Sequence, residues 1–136
     1  MTVEPLVPAG HSKPVGRYSP GVAVAVPAGT RLVFVSGQVA TDEHGRVTAP
    51  DDAGRQAEVA FDRIGQVLAT AGGGLSDVVS LVIYLVDVSR DFTAVSAVRN
   101  RILGEPAPAS TLVEVSRLVE PGCRVEISAV AAVGPA

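Results

Sequence analysis

The side chains that most often carry chemistry are scarce in this sequence. The chain has two histidines and one cysteine. His44 lies in a turn-like run, and His11 lies in a segment rich in proline and glycine, so both are expected to be solvated loop residues. Cys123 follows a Pro-Gly pair that is typical of a loop, and a bystander thiol is the favoured interpretation.

Two carboxylates stand inside apolar runs that are typical of strands. Glu126 lies in a Val-Glu-Ile run and Glu114 lies in a Val-Glu-Val run. A carboxylate in such a strand either points to solvent or lines a polar cleft, because burial without a partner is costly. The strand pattern by itself favours solvent for both. Arg17, next to Tyr18 near a turn, is likewise expected to be solvated.

The apolar periodicity predicts the elements that must position these residues. The expected helices span about residues 52–71 and 91–102, with Asp91 as the cap of the second helix. The expected strands span residues 22–26, 32–35, 78–86, 111–115 and 124–133, and the first two of these are expected to form a hairpin. Residues 1–14 are expected to form an irregular leader.

This order predicts a single α+β domain over residues 1–136. Listed along the chain it reads β-β-α-β-α-β-β, and right-handed crossovers would put both helices on one face of a mixed sheet. The strand around residue 82 is apolar on both faces, with Val82 and Tyr84 on one and Leu81 and Ile83 on the other. A sheet that is apolar on both faces needs cover on both. Self-association is therefore predicted, in the form of a homo-oligomer.

Composition and charge exclude several classes of function. The 136 residues carry a net charge of −3 and no basic run, which disfavours a nucleic-acid partner. A single cysteine rules out a disulfide within the chain, and a four-ligand zinc site is not expected. No apolar run reaches membrane-spanning length, and the first ten residues lack a signal-peptide pattern, so no membrane partner and a cytoplasmic location are expected.

Several short motifs, taken in order, resemble the Rid family, also called the YjgF/YER057c/UK114 family. Gly16-Arg17-Tyr18-Ser19 is similar to its Gly-Pro-Tyr-Ser, Val33-Phe34-Val35-Ser36-Gly37-Gln38 to its Val-x-x-Ser-Gly-Gln, Pro108-Ala109-Ser110-Thr111 to its Pro-Ala-Arg-Ser, and Val125-Glu126-Ile127 to its Val-Glu-Ile. The resemblance extends over most of the chain, and the order and spacing of the motifs make it specific.

The resemblance implies both an architecture and an activity. The fold would be chorismate-mutase-like, in a homotrimer whose sheets form a central barrel with ligand clefts between neighbouring subunits. Family members with complete motifs hydrolyse reactive imines or enamines to 2-oxo acids and ammonia. No metal or organic cofactor is implied, and the partners are a small-molecule ligand and other copies of the chain.

The resemblance also implies which residues form the site. Glu126 would be the catalytic residue, since it corresponds to the glutamate that orients water. Tyr18, Ser36 and Gly37 would line the cleft and hold the ligand. Ser96, which stands where the family has an asparagine on its second helix, would also bind the substrate.

One departure from the family pattern bears on the substrate. Ser110 occupies the position of the arginine that anchors the substrate carboxylate, and a serine supplies neither the charge nor the planar fork. Losing such a contact costs on the order of 2–4 kcal/mol of binding free energy. Standard 2-imino acid deamination is therefore in doubt.

Three interpretations remain open. Arg17 replaces the missing guanidinium and an imine of a 2-oxo acid remains the substrate, or the cleft takes a ligand without a carboxylate. In the third, the protein is a non-catalytic ligand-binding or regulatory trimer. RNA cleavage, reported for some relatives, is disfavoured by the net charge of −3.

Overall fold

The computed structural model describes residues 2–12 and 16–135. Over these residues the chain forms six strands and two α-helices. The strands are β1 (Val3–Leu6), β2 (Gly21–Val24), β3 (Arg31–Gln38), β4 (Val78–Leu85), β5 (Ala109–Glu114) and β6 (Val125–Val133). The helices are α1 (Ala53–Ala69) and α2 (Val88–Ile102), and a short 3-10 turn at Leu75–Asp77 precedes β4.

The main sheet has four strands in the order β3-β6-β4-β5. Strand β6 runs antiparallel to both of its neighbours, whereas β4 and β5 are parallel. Parallel neighbours need a crossover connection, and α2 provides it. The predicted α+β fold with a mixed sheet is confirmed.

Both helices pack on one face of this sheet. Alternate residues of β4, such as Leu81 and Ile83, point to that face and are buried. Phe61 and Ile64 of α1, and Val95 of α2, lie in the same core. Helix α1 forms here because its apolar residues recur every three to four positions, and because the Asp52 side chain accepts a hydrogen bond from the amide of Arg55 at 2.9 Å.

The cap of helix α2 lies four residues earlier than the sequence predicts. This cap is Asp87, whose carboxylate accepts a hydrogen bond from the amide of Arg90 at 3.1 Å. Asp91, the expected cap, lies in the first turn and is 4% exposed. Its carboxylate is 2.8 Å from the guanidinium of Arg124 at the start of β6. The prediction was wrong because Asp87 and Asp91 are both suitable cap residues in the sequence. The structure distinguishes them, since Asp91 is buried against Arg124 and Asp87 caps the helix.

Two predictions about the N-terminal part were also wrong. The leader is not irregular throughout, because Val3–Leu6 forms a strand. That strand pairs antiparallel with β2 in a separate two-stranded sheet, so β2 does not form the predicted hairpin with β3. Strand β3 instead pairs with the nine-residue β6, which offers a longer apolar partner. Residues 1 and 13–15 of the leader lie outside the described part of the chain.

The other face of the main sheet carries exposed apolar side chains. Phe34 is 74% exposed, Leu32 is 51% exposed and Val113 is 41% exposed. Val82 and Tyr84 are partly buried on the same face. The prediction that β4 is apolar on both faces is confirmed, and one of these faces has no helix over it. Across the described residues, the structure contains no helix with the length and apolarity needed to cross a membrane.

Candidate functional site

Strand β3 departs from regular pairing at Ser36 and Gly37. Val35 pairs with Ala129 and Gln38 pairs with Ile127, so Ser36 and Gly37 together lie opposite the single residue Ser128. Such a bulge re-aims the strand and is common next to active sites. The Ser-Gly pair inside an apolar strand is the sequence signal for it.

The bulge brings Glu126 against Gly37. A Cβ atom on Gly37 would lie 2.2 Å from Oε2 of Glu126, so the carboxylate fits only because residue 37 is glycine. Glu126 pairs with Tyr84 and therefore lies on the face that the helices leave uncovered. Ser36, Gly37 and Glu126, three residues that the sequence predicts for the site, are thus brought together. We call them the carboxylate cluster.

A second group lies where the N-terminal segment meets α2. The guanidinium of Arg99 is 5.3 Å from the ring centroid of Tyr18, and its Nη2 donates to Oγ of Ser96 at 3.0 Å. Arg99 is only 2% exposed. Tyr18 and Ser96 were predicted as binding residues, and Arg99 was not. We call these three residues the arginine cluster.

Burial dominates the electrostatics of Arg99. Desolvation lowers the pKa of its guanidinium, and the neighbouring Tyr18 opposes that shift. A sequence signal for this residue does exist. Arg99 lies four positions after Val95 and three before Ile102, so it falls on the apolar stripe of α2.

Arg17 lies at the surface next to this cluster. Its Nε is 3.2 Å from a carboxylate oxygen of Glu105, and the Arg17 side chain is 47% exposed. Its Nη1 donates to the carbonyl of Asn100 at 3.3 Å. The charge of Arg17 therefore already has an anionic partner. Its predicted role as a substitute for the missing arginine stays a prediction.

Ser110 lies on the other face of the sheet from Glu126. It pairs with Leu81, whose side chain is in the core beneath the helices. Its hydroxyl is buried and has no hydrogen-bond partner among the residues that the structure describes. One chain therefore does not bring Ser110 and Glu126 together.

The carboxylate and arginine clusters lie toward opposite edges of the sheet. Ser19, next to Tyr18, forms a bridge to Ala109 and so extends the sheet beyond β5. Strands β4 and β5 separate it from Glu126 on β6. Three inter-strand spacings place Ser19 at least about 14 Å from Glu126 across the strands. An offset along the strands adds to this separation, because Ala109 pairs with Ser80 whereas Glu126 pairs with Tyr84. Two cavities of about 430 Å³ and 560 Å³ lie along α1, and neither is lined by a residue of the two clusters.

The histidines, the cysteine and the second strand carboxylate that the sequence singles out belong to neither cluster. His44 is exposed beside Glu43, with 3.4 Å between Nε2 and the carboxylate, and His11 is also exposed. Burial raises the pKa of the Cys123 thiol, which keeps it protonated. The Glu114 carboxylate accepts a hydrogen bond from the amide of Val88 and so stabilises the start of α2. Within residues 2–12 and 16–135, no three His, Cys, Asp or Glu side chains are arranged to hold a metal ion.

The β3-β6-β4-β5 sheet with two helices on one face defines a small α+β protein of the chorismate-mutase-like class. A family model described as endoribonuclease L-PSP matches residues 10–133. A RutC family protein of Pyrococcus abyssi is 35% identical over 106 residues, which cover 78% of this chain and 79% of that protein. The chain therefore belongs to the Rid (YjgF/YER057c/UK114) family.

Solved structures agree with this assignment. The Rid-family protein YyfB from Yersinia pestis superposes with a TM-score of 0.83 at 26% identity, and the match covers 98% of this chain and 100% of that one. RidA from an Antarctic Psychrobacter species gives a TM-score of 0.68 at 33% identity, covering 96% and 94% of the two chains. The fold expected from the sequence motifs is thus confirmed by independent structures.

Proposed function

We propose that the protein hydrolyses a reactive imine or enamine in a cleft between the subunits of a homotrimer. The observation that carries this proposal is the carboxylate cluster. It presents a carboxylate against the backbone of a strand bulge, on a sheet face that no helix covers. Membership of the Rid family supports the same activity.

The proposed chemistry needs one carboxylate and a bound ligand. Glu126 takes a proton from a water molecule while the water oxygen attacks the carbon of the C=N bond. The proton is then returned to the nitrogen, which gives a carbinolamine. Glu126 next carries the hydroxyl proton to the same nitrogen, the C–N bond breaks, and ammonia leaves as the carbonyl forms. One water is consumed for each carbonyl and ammonia produced. An enamine first accepts a proton on carbon and loses one from nitrogen, which converts it to the imine.

Two features of the single chain support the proposed trimer. The uncovered sheet face exposes large apolar side chains such as Phe34 and Leu32, which favours burial against another copy. Ser19, next to the arginine cluster, lies at least about 14 Å from Glu126 across the sheet, which is too far for the two clusters of one chain to hold one small ligand. A neighbouring subunit can bring its arginine cluster against the carboxylate cluster, and three such contacts close a ring.

In this arrangement the predicted site residues line one cleft from two subunits. Glu126, Ser36 and Gly37 come from one subunit. Tyr18 and Ser96 come from the next. Ser110 and Arg17 flank the second group and border the ligand from that side.

Turnover of 2-iminobutanoate, generated in situ by a threonine dehydratase, tests the proposal. The wild-type protein is expected to accelerate release of 2-oxobutanoate, and Glu126→Gln is expected to lower the enzymatic rate by about 100-fold or more. Glu43→Gln is the matched control, because the Glu43 side chain is 85% exposed and belongs to neither cluster. It should retain wild-type activity.

Three results contradict the proposal. The first is a wild-type protein that does not accelerate imine hydrolysis. The second is an active wild type whose activity is unchanged in Glu126→Gln. That result would show that the carboxylate does not take the proton from water. The third is tight binding of small carbonyl compounds without turnover, the outcome expected of a non-catalytic ligand-binding trimer. Because the family model carries the description endoribonuclease, RNA cleavage is assayed in parallel.

A further inference from the structure

Arg99 carries a buried positive charge, and no carboxylate lies against it in the part of the chain that the structure describes. Its neighbours within hydrogen-bond distance are neutral, namely the Ser96 hydroxyl at 3.0 Å and the Asn100 side-chain oxygen at 3.3 Å. No carboxylate of the described residues forms an ion pair with it. An isolated buried charge is costly, and proteins usually pair it or bind a counter-ion there. The other buried arginine contact of this helix, Asp91 with Arg124, follows that rule.

The surroundings hold the guanidinium in one position. Ser96 accepts from Nη2, Asn100 accepts from Nε, and the Tyr18 ring lies over the planar group at 5.3 Å. Asn100 also accepts from the amide of Arg17 at 2.9 Å, which fixes the N-terminal segment to the end of α2. A guanidinium has five N–H donors, so these contacts leave donors for a further acceptor.

Gly16 covers the Arg99 guanidinium, so a ligand must displace this residue to reach the charge. A Cβ on Gly16 would lie 2.0 Å from Nη2 of Arg99, so the glycine backbone lies directly over the guanidinium. Gly16 is itself partly exposed. The charge is therefore one residue below the surface, under a residue without a side chain. At the same edge of the sheet, the Ser110 hydroxyl is buried without a partner among the described residues.

We propose that Arg99 is the anion-binding residue of the site and that its ligand carries a carboxylate. This rests on the proposed function in one respect, which is that the arginine cluster faces the cleft in which the imine reacts. The planar guanidinium matches a carboxylate through two parallel hydrogen bonds. A single arginine with one hydroxyl suits a monoanion better than a phosphate, which collects several donors. Arg99 would then supply the charge that Ser110 lacks.

The first experiment uses the wild-type protein and therefore does not depend on a variant that folds. Isothermal titration compares 2-oxobutanoate, its neutral methyl ester and inorganic phosphate. The account predicts that the carboxylate binds about 10-fold or more tightly than either competitor. Equal affinity for the acid and the ester overturns the proposal, and so does tighter binding of phosphate.

The second experiment uses Arg99 variants. Arg99→Met is expected to weaken binding of 2-oxobutanoate by about 10- to 100-fold and to leave the affinity for the ester unchanged. Arg99→Lys keeps the charge and should restore part of the affinity. Arg101→Met is the matched control on the same helix, because the Arg101 side chain is 61% exposed and pairs with Glu58. Unchanged affinity in a folded Arg99→Met protein overturns the proposal.

A crystal structure of the protein with bound 2-oxobutanoate would show where the ligand carboxylate lies. A ligand carboxylate on the Arg99 guanidinium supports the proposal, and a carboxylate side chain of a neighbouring subunit in that place overturns it. Failure of this inference is distinguishable from failure of the proposed function. If the protein hydrolyses the imine and Arg99→Met leaves KM unchanged, the anion-binding role of Arg99 is wrong and the proposed function stands. If carboxylate binding depends on Arg99 but no imine is hydrolysed, the proposed function is wrong and the anion-binding role of Arg99 stands.

Discussion

Gly37 controls the position of the Glu126 carboxylate because it has no side chain. Gly37→Ala would place a methyl group 2.2 Å from Oε2, and the carboxylate would have to move. The moving group is the end of a flexible side chain, so we expect the free energy of unfolding to change by less than about 1 kcal/mol. Imine turnover is expected to fall by about 10-fold or more, because a displaced base cannot reach its water.

Gly104→Ala is the control for this substitution. A Cβ at residue 104 meets no atom within 4 Å, so this variant should keep both its stability and its activity. The comparison is made by urea denaturation and by the imine assay. Full activity in Gly37→Ala would contradict the role given to the bulge.

At the residue scale, the sequence predicts one cluster better than the other. Ser36, Gly37 and Glu126 occur in motifs whose chemistry is visible along the chain, and the structure brings them together. Arg99 was missed because an arginine in an amphipathic helix is usually solvated. Its burial depends on Gly16 and Tyr18, which lie more than eighty residues earlier, and contacts of that separation cannot be read from helical periodicity.

The first turn of α2 gives a pH-dependent contribution to stability. The Asp87 carboxylate accepts hydrogen bonds from the Ser89 hydroxyl at 2.8 Å and from the amide of Arg90 at 3.1 Å. The Ser89 contact is the first cause that lowers the Asp87 pKa in the folded protein, and the Arg90 amide is the second. A lowered pKa means that the stabilisation is complete above the unfolded value and is lost as the pH falls through the folded value.

Asp87→Asn is therefore expected to make the free energy of unfolding depend less on pH in the acidic range. Urea denaturation of the wild type should give a free energy of unfolding that drops as the pH falls below about 4, the range in which an unfolded aspartate titrates. The stability difference between wild type and Asp87→Asn should shrink over that range. Ser89→Ala should remove part of the same dependence. A difference that stays constant with pH would contradict this account.

At the element scale, the sequence predicts the core elements and fails at the pairing of β2. Periodicity identifies α1, β4 and β6 because each has a face that must be buried. The predicted hairpin of β2 with β3 rested on their proximity in sequence. It was wrong because β3 has a longer apolar partner in β6, and because the N-terminal residues 3–6 supply a strand for β2.

The proposed trimer depends on the apolar sheet face that no helix covers. Phe34, on the edge strand β3, is 74% exposed on this face beside Val130 of β6. Phe34→Asp would place a charge where the trimer requires burial, so we expect sedimentation velocity to show monomers in place of trimers. Val67→Asp on α1 is the control and should remain trimeric. A wild-type monomer, or a trimer that tolerates Phe34→Asp, would contradict the account.

The central claim is that one reactive site draws Glu126 from one subunit and Arg99 from the next. Mixing tests it most directly. Glu126→Gln and Arg99→Met proteins are unfolded together in equal amounts and refolded. Imine turnover is measured at a substrate concentration below KM, where each variant alone has little activity. If the site spans two subunits, random assembly restores about a quarter of wild-type activity, because that share of the clefts receives both intact residues. If the two residues act within the same subunit, no cleft is intact, and the mixture stays as inactive as either variant.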